Sequence, residues 1–193
     1  DLNSDCEVIL YLYEKIGIDL LIEELDGVFA FVIIDFDSNN NESTIYAVRD
    51  RIGVRPLFYG QNDNNNDIGF CSVISGLNGL FDNINVFTPG TYMKYSTHDN
   101  NKQIKTYYSF NYPIKEDTEE NYMEYIKNHF IESVEKRLIS DRPICCLLSG
   151  GLDSSLVASV ASRLLLKKNG KQLNTFSIGM DNATDMKYAN MVA

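Results

Sequence analysis

Between an apolar run at 144–148 and a stretch of helical periodicity stands the segment Leu147-Leu148-Ser149-Gly150-Gly151-Leu152-Asp153-Ser154-Ser155. Adjacent glycines let a backbone approach a ligand closely. The N–H groups at the start of a following helix, with the hydroxyls of Ser149, Ser154 and Ser155, can hold phosphate oxygens. The chemistry is that of an anion site. No lysine follows the glycines, so this is not the G-x-x-x-x-G-K-[ST] loop that steadies a γ-phosphate, and a reaction different from a kinase's is expected. Asp153 is out of place beside phosphates unless a cation such as Mg²⁺ bridges them; otherwise it caps the helix of a plain Gly/Ser turn.

A second segment is Arg49-Asp50-Arg51-Ile52-Gly53-Val54-Arg55-Pro56-Leu57-Phe58-Tyr59. Arg49-Asp50 ends one strand, Gly53 turns the chain, and Pro56 opens the next strand where its missing N–H does least harm. By itself this is a well-made hairpin. Cys6, Cys71, Cys145 and Cys146 form no C-x-x-C pair and are too sparse for a disulfide scaffold, so reduced thiols are expected. Cys145 and Cys146 are neighbours facing opposite sides of a strand, which suits packing rather than chelation. Cys6 falls in the first turn of a helix without a free α-amine and is expected to be inert. His98, in a polar turn, and His129, on a long helix, have no second ligand at metal spacing. The Tyr107-Tyr108-Phe110-Tyr112 cluster is expected to pack rather than to stack on bases.

Elements must hold these segments in place. Val8, Ile9, Leu12 and Tyr13 predict an amphipathic helix over 4–16, with Ser4 as N-cap, Glu7 three positions on and Gly17 as its stop. β-rich runs follow at 28–36, 44–49, 57–61, 68–74, 90–97 and 102–110, six strands that suggest antiparallel sheets. Asn-rich stretches at 38–43 and 61–67 serve as hairpin tips. Polar residues 115–120 then mark a domain boundary, with Asp117 and Glu120 spaced like a capping box, giving domains 1–114 and 115–193. Met123, Ile126, Phe130, Val134 and Leu138 predict a helix over 119–140, and Pro143 opens a buried strand at 144–148. A helix over 154–168 ending at Gly170 and a strand at 175–180 complete a βαβ unit, which implies a parallel sheet.

The 193 residues carry 44% hydrophobic and 23% charged side chains, a composition that supports a packed core and excludes a disordered chain. Twenty-seven acidic against 17 basic residues give a net charge of −10, which repels a phosphate backbone and argues against nucleic acid as a partner. No apolar run approaches the ~18 residues of a membrane span. The chain reads as cytoplasmic, with neither membrane nor nucleic acid as partner. It opens in mid-pattern at Asp1 and ends inside an apparent helix, as an internal fragment would.

Ser149-Gly150-Gly151-Leu152-Asp153-Ser154 resembles the loop of the PP-loop ATP pyrophosphatases, which adenylate a substrate and release pyrophosphate. Asp26-Gly27-Val28-Phe29-Ala30-Phe31, with the Arg49 to Tyr59 segment, resembles class II glutamine amidotransferase domains. Both in this order, with Ser4-Asp5-Cys6-Glu7-Val8-Ile9 upstream and Phe87-Thr88-Pro89-Gly90-Thr91-Tyr92 between, are similar to the glutamine-hydrolysing asparagine synthetase family along essentially the whole chain.

The resemblance implies part of an α+β N-terminal-nucleophile αββα sandwich, followed by part of an α/β parallel-sheet PP-loop domain. It implies glutamine, aspartate and ATP as substrates, Mg²⁺ with the ATP, a β-aspartyl-AMP intermediate, an ammonia tunnel and a homodimer of the full-length protein. By motif, Asp5 would bind the α-amino group of glutamine. Leu147, Ser149, Gly150, Gly151, Asp153 and Ser154 would form the ATP site, with Ile178 against adenosine and Asp153 reaching Mg²⁺ through pyrophosphate. The family's nucleophile is an N-terminal cysteine where this chain has Asp1, so no catalytic residue is expected within this stretch, and the fragment alone is expected to be inactive. Val73 stands where the family has an acidic residue. Three rivals remain: an amidotransferase of another carboxylate on the same architecture, a truncated non-catalytic nucleotide-binding remnant, and, last, a PP-loop enzyme acting on tRNA, whose basic patch is missing.

Overall fold

The computed structural model describes residues 4, 6–39, 41–64, 67–114, 116–180 and 183–193. It is a mixed α/β structure that divides into two compact units, Asp1–Tyr112 and Pro113–Ala193.

The first unit opens with α1, Glu7–Glu24. Gly17 does stop the first helical stretch, at φ 74° and ψ 175°, and a second stretch follows directly, the two together spanning Glu7–Glu24. The residue takes a backbone conformation that side chains disfavour, and the helix restarts beyond it. The restart is driven by burial, because Ile18, Leu21 and Ile22 fall at helical spacing on one face and are the helix's buried residues. Sequence periodicity before Gly17 could not show this second half.

Seven strands follow: β1 Ala30–Asp37, β2 Glu42–Arg49, β3 Phe58–Gln61, β4 Ile68–Cys71, β5 Asn83–Val86, β6 Thr91–Ser96 and β7 Lys102–Thr106. They form two antiparallel sheets, ordered β1-β2-β6-β7 and β4-β3-β5. The period-2 alternation of the larger sheet splits its side chains. Ile33, Val48 and Tyr92 pack with Ile18, Leu21 and Ile22 of α1. Ala47 and Met93 pack with Leu57 and Phe87, and with Tyr59, Ile68 and Phe70 on the smaller sheet. The layers are therefore helix, sheet, sheet.

Three strand expectations need correction. β5 was not expected, because Asn83-Ile84-Asn85-Val86 is short and half polar; it is an edge strand held by pairing with β3. β4 stops at Cys71, and a 3₁₀ turn, Ile74–Gly76, takes the end of the expected strand. β7 stops at Thr106 because the N–H groups of Tyr107 and Tyr108 both turn to the Gly90 carbonyl.

The second unit contains α2 Glu119–Lys136, β8 Cys145–Leu147, α3 Leu152–Asn169, β9 Asn174–Phe176 and α4 Thr184–Val192. The cap of α2 is Thr118, whose side chain accepts from the Asn121 N–H at 3.3 Å. Asp117 and Glu120 are not a capping box; Asp117 instead accepts from Thr118 N–H and Asn121 Nδ2. β8 and β9 pair in parallel, Cys145 opposite Asn174 and Leu147 opposite Phe176, with α3 as the crossover between them. α3 starts at Leu152 with Gly151 as N-cap, so Asp153 lies in its first turn and is not its cap. It ends at Gly170 as expected. Leu148, Ala158 and Ala189 form the core, joined by Cys146 and Leu173. No helix among the described residues is long and apolar enough to cross a membrane.

Candidate functional site

The loop 149–151 leaves the C-terminal end of β8 and enters the N-terminus of α3. Leu148 N–H donates to Phe176 O at 2.8 Å and Ser177 Oγ donates to Leu148 O at 2.6 Å, which ties β9's end to the loop. Ser177 thereby leaves the strand path, and the expected run to Met180 ends at Phe176. The first helical bond of α3 runs from Ser155 N–H to Gly151 O at 3.1 Å, so the N–H groups of Leu152, Asp153 and Ser154 lie outside the helix's own ladder. The positive end of an 18-residue helix dipole thus opens on this loop.

The hydroxyls of Ser149 and Ser154 lie 2.9 Å apart, Gly151 N–H donates to Ser149 Oγ at 3.4 Å, and Ser154 Oγ donates to Gly151 O at 3.2 Å. These contacts shape the loop around one point. Ser155 does not join them: its Oγ is buried and has no hydrogen-bond partner among the described residues. Gly150 and Gly151 differ in kind. A Cβ on Gly150 would meet Ala189 N at 2.6 Å and Asp185 O at 2.7 Å, so this glycine exists for the packing of α4. A Cβ on Gly151 would meet nothing nearer than Ser149 Oγ at 3.5 Å. The space over Gly151 is open, and no packing among the described residues asks for a glycine there.

Beside the loop lies a cleft of about 380 Å³ lined by Leu147, Leu148, Ser149, Phe176, Ser177 and Ile178. It sits at the carboxyl ends of two parallel strands, where open α/β sheets bind ligands. Leu147 is 81% exposed and Ile178 fully exposed, an apolar wall that suits a flat ring. Of the expected residues, Leu147, Ser149 and Ile178 line this cleft, Gly150, Gly151 and Ser154 lie in the adjoining loop and helix start, and Asp153 is exposed in the first turn of α3. Among the described residues no three His, Cys, Asp or Glu side chains cluster as a metal cage. A Mg²⁺ carried on phosphates needs only one or two carboxylates, which Asp153 fits.

The first unit holds a second cavity, of about 400 Å³, walled by Cys6, Ile9, Phe29, Phe31, Arg55, Pro56 and Ser72 among others. Asp5 lies outside the described residues. Its neighbour Cys6 is exposed, not buried, and faces this cavity. The Arg49-Asp50 pair, bonded to the backbone of the lining residue Arg55, does more than end a strand. Asp50 is 2% exposed, and its carboxylate accepts four backbone N–H bonds, from Ile52, Gly53, Val54 and Arg55, at 2.7–3.1 Å. Arg49 donates to the carbonyls of Arg55, Gly53 and Phe87, and Tyr107 Oη donates to Arg49 O at 2.7 Å. Burial, aided by the Asp50 charge, pushes the Tyr107 phenol up to about 12, so it stays a donor. Sequence reasoning missed this nest; an Asp placed two to five residues before a Gly-containing turn is the signal that could have found it.

Burial works to raise the Asp50 pKa, but the four N–H bonds outweigh it and the carboxyl titrates below its usual value. A depressed carboxyl contributes stability that is fully present above its unfolded pKa of ~3.9 and is lost as pH falls through the folded value. Thermal unfolding followed from pH 6 to pH 2 is expected to show a fall below about pH 4 that is shallower in Asp50→Asn. Equal slopes in the two proteins would remove Asp50 from that account.

His98 Nδ1 pairs with Glu42 at 2.7 Å, and His129 stacks on Tyr125 at 3.9 Å. Cys146 packs into the core, whereas Cys145 is exposed. Tyr107 packs against the first unit's core, but Phe110 and Tyr112 do not share its burial. Val73 is exposed ahead of the 3₁₀ turn.

The family model for a glutamine amidotransferase domain matches residues 1–109, and that for asparagine synthase matches residues 125–193. The chain is 38% identical over 212 residues to an asparagine synthetase (glutamine-hydrolyzing) of Gallus gallus, covering 98% of the chain and 37% of that protein. It is 34% identical over 208 residues to a probable asparagine synthetase (glutamine-hydrolyzing) of Acanthamoeba polyphaga mimivirus, covering 98% and 36%. With asparagine synthetase (glutamine-hydrolyzing) 1 of Arabidopsis thaliana the identity is 36% over 199 residues, covering 99% and 32%. The chain thus spans about a third of the length of the curated relatives it matches.

Proposed function

Since the chain belongs to the glutamine amidotransferase domain family and also matches the asparagine synthase family, we propose that it is a stretch of a glutamine-hydrolysing asparagine synthetase. Residues 1–114 are assigned to the ammonia-releasing domain and 115–193 to the ATP-using domain. The helix, sheet, sheet layering supports three of the four layers of an N-terminal-nucleophile αββα sandwich. The parallel β8–β9 pair with its α3 crossover supports a PP-loop fold. Unpaired thiols suit a cytoplasmic protein, and a homodimer rests on family likeness alone.

One observation carries the reading: the open loop at Gly151, between a strand end and a helix N-terminus, beside an apolar cleft. Leu147, Phe176 and Ile178 would hold the adenine and ribose, while Ser149, Ser154 and the N–H groups of 152–154 would hold phosphate oxygens. Bound Mg²⁺ would supply charge neutralisation on those oxygens. Without a lysine to steady a γ-phosphate, these residues grip the phosphate chain so that the aspartate carboxylate attacks the α-phosphorus and pyrophosphate leaves. Asp5, as an expectation from the motif, would hold the α-amino group of glutamine.

The native polypeptide that carries this chain is the protein to test. Its intact mass and N-terminal residue, with glutamine, aspartate and ATP as substrates, are expected to show a longer chain beginning with cysteine that forms asparagine, AMP and pyrophosphate. Formation of ADP and phosphate, or amidation of a carboxylate other than aspartate, would overturn the assignment.

A further inference from the structure

We infer that Asp50 is a positioning residue for the amino-acid cavity of the first unit, fixing the wall that meets the substrate as well as bracing a hairpin. The inference rests on the proposed glutamine-hydrolysing function and takes this cavity, which Cys6 next to Asp5 lines, as the place where glutamine sits. Asp50 touches both sides of the cavity through its own backbone and side chain. Its N–H donates to Phe29 O at 2.9 Å, on the β1 side, and its Oδ2 accepts from Arg55 N–H at 3.0 Å, on the opposite side.

Arg55 is the only charged side chain among the described residues lining the cavity. Its backbone is held twice. Asp50 takes its N–H, and the Nε of the adjacent Arg49 takes its carbonyl at 2.8 Å. Arg49 itself is buried and is fixed by the carbonyls of Gly53 and Phe87. A hairpin needs no such arrangement: turn chemistry alone makes one. Two neighbouring buried side chains thus satisfy the four N–H groups of Ile52 to Arg55 and the carbonyls of Gly53 and Arg55, which holds the backbone of the Arg55 wall in one place, as positioning a small polar substrate requires.

Asparagine at position 50 keeps one acceptor oxygen for Ile52, Gly53 and Val54 but turns an NH₂ toward the Arg55 N–H, donor against donor. In the native polypeptide, Asp50→Asn is expected to raise the KM for glutamine about tenfold, within the ~10²-fold that an ångström-scale misplacement costs, while kcat at saturating glutamine and ammonia-dependent synthesis change less than about twofold. A lowered unfolding temperature with an unchanged glutamine KM would overturn the inference, because that is what a brace alone predicts. Should Asp50→Asn not fold, Arg55→Ala leaves the nest intact: a raised glutamine KM supports the positioned wall, and an unchanged one overturns it. The thiol of Cys6 separates the two levels. If wild-type protein neither hydrolyses glutamine nor has its Cys6 alkylation by iodoacetamide slowed by glutamine, the glutamine reading of the cavity falls; if wild type does both and the variants keep its KM, only the role of Asp50 falls.

Discussion

Replacing Asp153 by asparagine is expected to cut ATP-dependent amide synthesis by the native polypeptide ~10²- to 10³-fold, the scale of losing one charge-stabilising group at a reacting centre. Glutamine hydrolysis is expected to stay within about twofold of wild type, since each unit has its own core and the side chain belongs to the second. The size follows from where Asp153 stands. It lies in the first turn of α3, exposed, at a helix end that already favours anions. With Gly151 as the cap, Asp153 has no capping bond to lose. A carboxylate serving only the helix dipole is worth about 0.3–1 kcal/mol, and its loss would leave synthesis almost untouched. In the proposed site a carboxylate beside a phosphate chain would be repulsive unless a cation lay between them, which is the role proposed for Asp153. Measuring pyrophosphate release and glutamate release on the same preparation separates the two roles; synthesis retained within fivefold would sink the metal role of Asp153.

What was legible in the sequence was local. Ser149 to Ser154 are contiguous, so the loop, its strand before and its helix after could be placed from spacing alone, and the parallel βαβ pairing follows from a crossover helix. The cleft's other wall could not. Ser177 reaches Leu148 across 29 positions, and only the register of β8 against β9 brings Phe176 and Ile178 beside Leu147. Ile178 entered through family resemblance, and Phe176 did not enter at all.

Errors of the sequence reading share a cause: tertiary partners outweighed local signals. Gly17 does stop a helix, but a second helical stretch, in which Ile18, Leu21 and Ile22 are buried, follows it directly. Asn83 to Val86 had no strand signal of its own and is a strand because β3 offers it an edge. Asp117 and Glu120 matched a capping pattern, but the hydroxyl of Thr118 lay nearer the open N–H of Asn121. Asp50 was read as a strand end because its four partners are backbone atoms, which carry no letter in a sequence.

The paired glycines of the loop divide structure from function, and alanine at each is expected to separate them. Gly150 has φ +81°, a region costing an L residue roughly 1–2 kcal/mol, and its Cβ would press on backbone atoms of α4 rather than on a side chain that can swing away. Gly150→Ala is therefore expected to destabilise the second unit by about 2–4 kcal/mol through strain and the displacement of α4. Gly151 has φ −72° and ψ 165°, which alanine adopts freely, and its Cβ would enter open space. Gly151→Ala is expected to cost under about 1 kcal/mol, the worth of a weaker N-cap. In the proposed nucleotide site the added methyl would nonetheless stand in the path of a phosphate approaching the free N–H groups of 152–154, so ATP affinity is expected to fall about tenfold or more. Urea unfolding and ATP titration of the same two variants read both effects. An unfolding midpoint of Gly150→Ala equal to wild type would show that α4 does not depend on this close approach. ATP binding by Gly151→Ala as tight as wild type would remove the loop from the nucleotide site, because no contact among the described residues requires a glycine there.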